Sequence, residues 1–149
     1  MKIRCAMLRL MRSGLSISIC FIIFGSPVRG SDWKEKLAYA ESQHEITMTL
    51  IDEGKYDEAR TELRKIIDLQ FPEKYEDRLA KEIFMVCDKL RHKGKDNLAL
   101  EVLDEGLEAV RLKRNKARLY KEKGYIYSKQ GNHAMKKEMF RKAAELELK

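Results

Sequence analysis

Three cysteines and three histidines are the side chains of this 149-residue chain best suited to nucleophilic, general-base or metal chemistry. Cys5 and Cys20 fall in the first 30 residues, so Cys87 stands alone in the remainder and no disulfide can close within residues 31–149. A reactive thiol needs exposure and a nearby cation or base. The alternative for Cys87 is a small apolar packing residue. His44, His92 and His133 make no pair one helical turn apart with a neighbouring carboxylate, and structural zinc asks for four N or S ligands. No Ser-His-Asp order, phosphate-cradling glycine loop or metalloprotease motif occurs. The expectation is therefore no catalytic residue, no metal and no cofactor. The densest basic run, Arg111-Leu-Lys-Arg-Asn-Lys-Ala-Arg118, has only Tyr120 near it for base stacking. Cations there would offset the free carbonyls of a preceding helix, so no nucleic-acid partner is expected.

The net charge of +7 does not alter that reading. Five of the 31 basic residues and none of the 24 acidic ones lie in the first 30 positions, which leaves +2 for the rest. That first segment has the pattern of a secretory leader. Lys2, Arg4, Arg9 and Arg12 precede the mostly apolar run 15–24, followed by Gly25-Ser26-Pro27 and Val28-Arg29-Gly30. The apolar run is shorter than the roughly 20 residues a membrane-spanning helix needs. Ile19 before Cys20 is too large for a typical lipoprotein site. Cleavage after Gly30 would release an exported domain, periplasmic or secreted, with no stable membrane span. An uncleaved leader would tether that domain to the membrane.

The elements that must position the remaining residues are helical. Charged residues make up 37% of the chain, aromatics 8%, and there are two prolines, which suits helices with solvated outer faces. Trp33, Leu37, Ala40, His44, Met48 and Ile51 recur at steps of three and four. Ser31 or Asp32 is expected to cap that helix. Similar periodicity, broken at Gly54, Phe71-Pro72, Gly94 and Gly131, predicts helices over about 32–53, 56–70, 74–93, 96–112, 115–130 and 133–147. Gly54, Gly94 and Gly131 head equivalent segments, with Ala59 and Ala99 five residues on and Leu63, Leu103 and Phe140 nine residues on.

The stretch Tyr120–Leu146, with Gly124, Tyr127, Phe140 and Ala143, resembles a tetratricopeptide repeat, as does the turn E-G-K-Y-D-E-A-R beginning at Glu53. Lys123 and Lys136 depart from the pattern, where Leu and Ala are usual. The resemblance implies an all-α, right-handed superhelical array of about three helical hairpins. Repeats are expected at about 40–73, 80–113 and 117–149, after a helical extension at 31–39.

The resemblance also implies a non-enzymatic scaffold that binds a peptide or helix of a partner protein in a concave groove. By alignment the first repeat would present Glu41, His44, Met48, Ile51 and Asp52 there. The second would present Lys81, Phe84, Asp88, Arg91 and His92, and the third Arg118, Lys121, Tyr125, Ser128 and Lys129. Cations of the third repeat favour an acidic partner. A family variant that clamps a C-terminal carboxylate has its five polar positions matched here by His44, Met48, Met85, Arg118 and Glu122. Only Arg118 has suitable chemistry, so that clamp is not expected. The alternative is a self-assembling module of an envelope complex, a homo-oligomer joined through Met135, Met139 and Leu146 of the last helix.

Overall fold

A computed structural model describes residues 30–148, with side chains from Trp33 onward. The expected leader lies, apart from Gly30, outside the described residues. Six α-helices follow: α1 (Gly30–Asp52), α2 (Tyr56–Ile67), α3 (Glu76–His92), α4 (Asp96–Ala109), α5 (Lys113–Lys129) and α6 (His133–Glu147). A short 3-10 turn, Glu73–Tyr75, leads into α3. The helices pair as α1·α2, α3·α4 and α5·α6, and no strand occurs among the described residues. This is the all-α array of helical hairpins that the resemblance to tetratricopeptide repeats implies. Ser31 and Asp32 do not cap the first helix, because α1 already begins at Gly30 and both lie inside it.

The three hairpin turns share one geometry. Gly54, Gly94 and Gly131 have φ of 78°, 71° and 73°, a region open to glycine because it carries no Cβ. In each, the residue after the glycine donates its N–H to a carbonyl in the preceding helix at 2.9 Å: Lys55 to Leu50, Lys95 to Leu90 and Asn132 to Tyr127. The first turns of α1 fold over the α2–α3 connector, where the Trp33 ring lies 5.6 Å from both Phe71 and Tyr75.

Hairpins join because each leaves an apolar stripe the next one covers. Ile51, Leu63, Ile66, Leu79, Ile83, Leu103, Leu119 and Ile126 are fully or almost fully buried. Each such side chain contributes about 1.5–3 kcal/mol by leaving water. Gly106 marks the closest approach. A Cβ there would lie 2.9 Å from Ile83 Cδ1 and 3.3 Å from Leu119 Cδ1, so α3 and α5 both crowd α4 at this point. Gly124 has the same role against Phe140, whose Cε2 would be 2.8 Å away.

The second joint is also polar. Glu76, 1% exposed, accepts hydrogen bonds from the backbone N–H of Arg111 (2.9 Å) and Leu112 (2.7 Å) and from the Asn115 side chain (3.1 Å). Leu112 is the N-cap of α5 and carries no capping side chain, so the first residue of α3 supplies the acceptor that α5 lacks locally. Lys123 is buried where an apolar residue is usual, and its ammonium reaches the carboxylate of Asp104 on α4.

Gly106→Val should overpack the α3–α4–α5 junction and cost about 1–3 kcal/mol. The expected readout is a lower urea midpoint in unfolding followed by circular dichroism. An unchanged or raised midpoint would mean the helices are not in contact there.

Candidate functional site

The first helix of each hairpin lies beside the first helix of the next, α1 against α3 and α3 against α5. On α3 the buried side is taken by Leu79, Ile83, Val86, Cys87 and Leu90. Steps of three and four then leave Asp77, Lys81, Met85, Asp88 and His92 as an exposed stripe. On α5 the equivalent stripe is Arg114, Arg118, Tyr125 and Lys129. The stripes form one continuous face across the array.

Ion pairs cross every joint of that face. Arg78 pairs with Glu41 and Arg91 with Glu122. Lys89 and Lys93 reach Asp52 at 2.7 and 3.0 Å, and Arg114 Nη2 lies 3.0 Å from Asp77 Oδ2. Hydrogen bonds from Lys89 and then Lys93 hold Asp52 below the usual carboxylate range, and that from Arg114 does the same for Asp77. On the opposite surface Glu105 takes hydrogen bonds from Arg64 (2.8 Å) and Arg60 (2.7 Å). Burial pushes Glu105 up, but these two partners outweigh it and its pKa is lowered.

The expected groove residues fall into three groups. Asp52, Lys81, Asp88, His92, Arg118, Tyr125 and Lys129 are exposed, as is Glu41. Met48, Phe84, Arg91, Lys121 and Ser128 are half-buried. His44 and Ile51 are not on the face. Ile51 is 0% exposed and belongs to the core, because the turn leading to α2 closes over it. His44 is sealed between α1 and α3 with Nδ1 2.6 Å from Glu82 Oε2. Met85, 39% exposed and one turn from Lys81, belongs to the face and was missed as a groove residue. Its position on the exposed stripe of α3 was the available signal.

The exposed apolar groups of the face are Met85 and Tyr125, the latter 53% exposed. Tyr125 is held in place by an edge-on contact with Phe140, centroid to centroid 5.3 Å. Asp88, Arg91, His92 and Lys129 line a shallow cleft of about 160 Å³ between α3 and α5. A larger open cleft of about 610 Å³ lies on the other side, lined by Arg64, Gln70, Glu105 and Arg111 among others. Two of its polar groups, Arg64 and Glu105, are already paired with each other.

Two further expectations can be placed. The Cys87 thiol is buried, donates to the Ala99 carbonyl at 3.6 Å, and is pushed up by burial, so it packs and does not ionise. Met139 does not belong to an association surface: at 2% exposure it is turned into the α5–α6 hairpin. Met135 and Leu146 are half-buried.

Lowered carboxylate pKa values mean that the unfolded chain binds more protons, so stability rises with pH through this window. The contribution of Asp52, Asp77 and Glu105 is present above the ordinary carboxylate range and is lost as pH falls through their lower folded values. Thermal unfolding followed from pH 7 to pH 2 should show a fall in midpoint that is shallower in Asp52→Asn/Asp77→Asn/Glu105→Gln. Parallel curves would remove these pairs from the stability of the array.

Residues 40–72 and 117–149 each match a protein-family model described as a tetratricopeptide repeat. Among curated proteins, none matches the chain.

Proposed function

The chain belongs to the tetratricopeptide repeat family, and we propose on that footing that it is a non-enzymatic scaffold whose concave face, made by α1, α3 and α5, binds a peptide or helix of another protein. Tetratricopeptide repeats are in general protein–protein interaction modules. The observation that carries this reading is the pair Met85 and Tyr125, exposed on adjacent first helices with Phe84 half-buried beside them. Large apolar groups on a polar surface gain by being covered, and a helix or extended strand of a partner can reach both. The flanking ion pairs fix the backbone beneath them, so little ordering has to accompany binding. The scaffold acts in an exported compartment, as the basic and apolar pattern of residues 1–30 suggests.

The test is a photoreactive benzoylphenylalanine at position 125, compared with one at the exposed Thr61 of α2 in cells of origin. The reading expects adducts to another protein from position 125 and none from position 61. Adducts from position 61 alone would move the working surface to the outer helices. Adducts only between two copies of the chain would replace the scaffold with a self-assembling module.

A further inference from the structure

Charges on the α3–α5 face are almost all neutralised within the protein. Arg78, Lys89, Arg91, Arg114, Lys121 and Lys129 each pair with a carboxylate. Two carboxylates of the face are likewise taken, Asp77 by Arg114 and Glu122 by Arg91, while His92 lies 3.5 Å from the Asp88 carboxylate and is a counter-charge only when protonated. Two cations stand outside this pattern. Among the described residues, Lys81 and Arg118 lie in no ion pair, and both are exposed. They occupy equivalent positions on adjacent first helices, 37 residues apart, the separation that also relates Gly94 to Gly131. Met85 is one turn along from Lys81, and Tyr125 two turns along from Arg118. The face therefore carries two positive charges outside any ion pair at equivalent positions of adjacent helices, with Arg118 acting on Asp77 only at longer range, and two exposed apolar groups further along the same helices.

From this charge complementarity we infer that the occupant of the face is a segment of another protein in which two carboxylates lie next to apolar side chains, the carboxylates meeting Lys81 and Arg118 and the apolar groups covering Met85 and Tyr125. The inference rests on the scaffold reading above and gives its partner a chemistry. The acids are side-chain carboxylates within the segment. A chain-terminal carboxylate held by a polar clamp does not fit, since Met48 and Met85 stand at two places such a clamp fills with hydrogen-bonding groups. A bidentate contact suits Arg118, and the flexible ammonium of Lys81 tolerates either a Glu or an Asp. Because both cations are exposed, the contacts select a partner and speed its arrival more than they tighten it. The apolar groups supply most of the affinity.

The experiment is selection of randomised twelve-residue peptides displayed on phage against the purified protein, beside Lys81→Glu/Arg118→Glu. The two substitutions lie on exposed side chains, and retained helicity by circular dichroism checks the fold. The wild type should enrich peptides with two or more Asp or Glu next to Leu, Phe or Met, and the variant should lose the acidic preference or turn it to Lys and Arg. The best wild-type peptide should bind the variant about tenfold more weakly and should weaken in added salt. Enriched peptides without an acidic excess, or an acidic excess unchanged in the variant, would overturn this inference and leave the scaffold reading standing. No enriched peptide at all would overturn both. Dimers seen by light scattering in the wild type and lost in the variant would assign the face to a second copy and overturn the inference as well.

Discussion

The buried carboxylate of Glu76 fixes where the third hairpin sits. It is the first residue of α3, yet it takes the N–H groups of Arg111 and Leu112 where α5 begins. Those donors have no partner within α5, and leaving either buried and unpaired costs about 1–3 kcal/mol. A carboxylate also suits the positive end of a helix dipole. One side chain thus sets the register between two hairpins that are otherwise joined by apolar packing, which is less directional. The Asp77–Arg114 pair on the next residue extends the same join to the surface. The stripes of α3 and α5 face a common solvent space because this join holds.

Two kinds of contact divide the work of the array. Apolar burial and the close approaches at Gly106 and Gly124 supply cohesion. The ion pairs across each joint, exposed or half-exposed, add little energy singly. Their effect is to use up much of the charge of the surface, and the groups left over are the ones the proposed scaffold would use for recognition. On the α3–α5 face those groups are Met85, Tyr125, Lys81 and Arg118.

Much of this was legible in the chain. The glycines at 54, 94 and 131, each followed by a small or apolar residue at a fixed step, gave the hairpins, and all six helix starts fall within two residues of the spacing-based expectation. The N-terminus of α5 is informative in another way: its N-cap Leu112 offers no side-chain acceptor, and the N–H groups of Arg111 and Leu112 are met by Glu76, far away in sequence. Charged residues read as solvated when taken one at a time, so Glu76 and the His44–Glu82 contact carried no signal, whereas Lys123 stood at a place where Leu is usual and is buried. Periodicity gives the face of a helix but not which neighbour covers it. Ile51 was expected at the surface by alignment to repeat positions, and Met139 as part of an association surface on the last helix, and both lie in the core. Met85 escaped because alignment to repeat positions overrode the simpler fact that it shares a stripe with Lys81.

The central claim is that the face of α1, α3 and α5 is the working surface. Amide chemical-shift mapping by NMR, with a selected acidic and apolar peptide titrated into the protein, tests it most directly. The account predicts perturbations concentrated in residues 81–92 and 114–129, with α2 and the outer side of α4 unmoved. Perturbations centred on α2 and α4, around the cleft lined by Arg64 and Glu105, would contradict it.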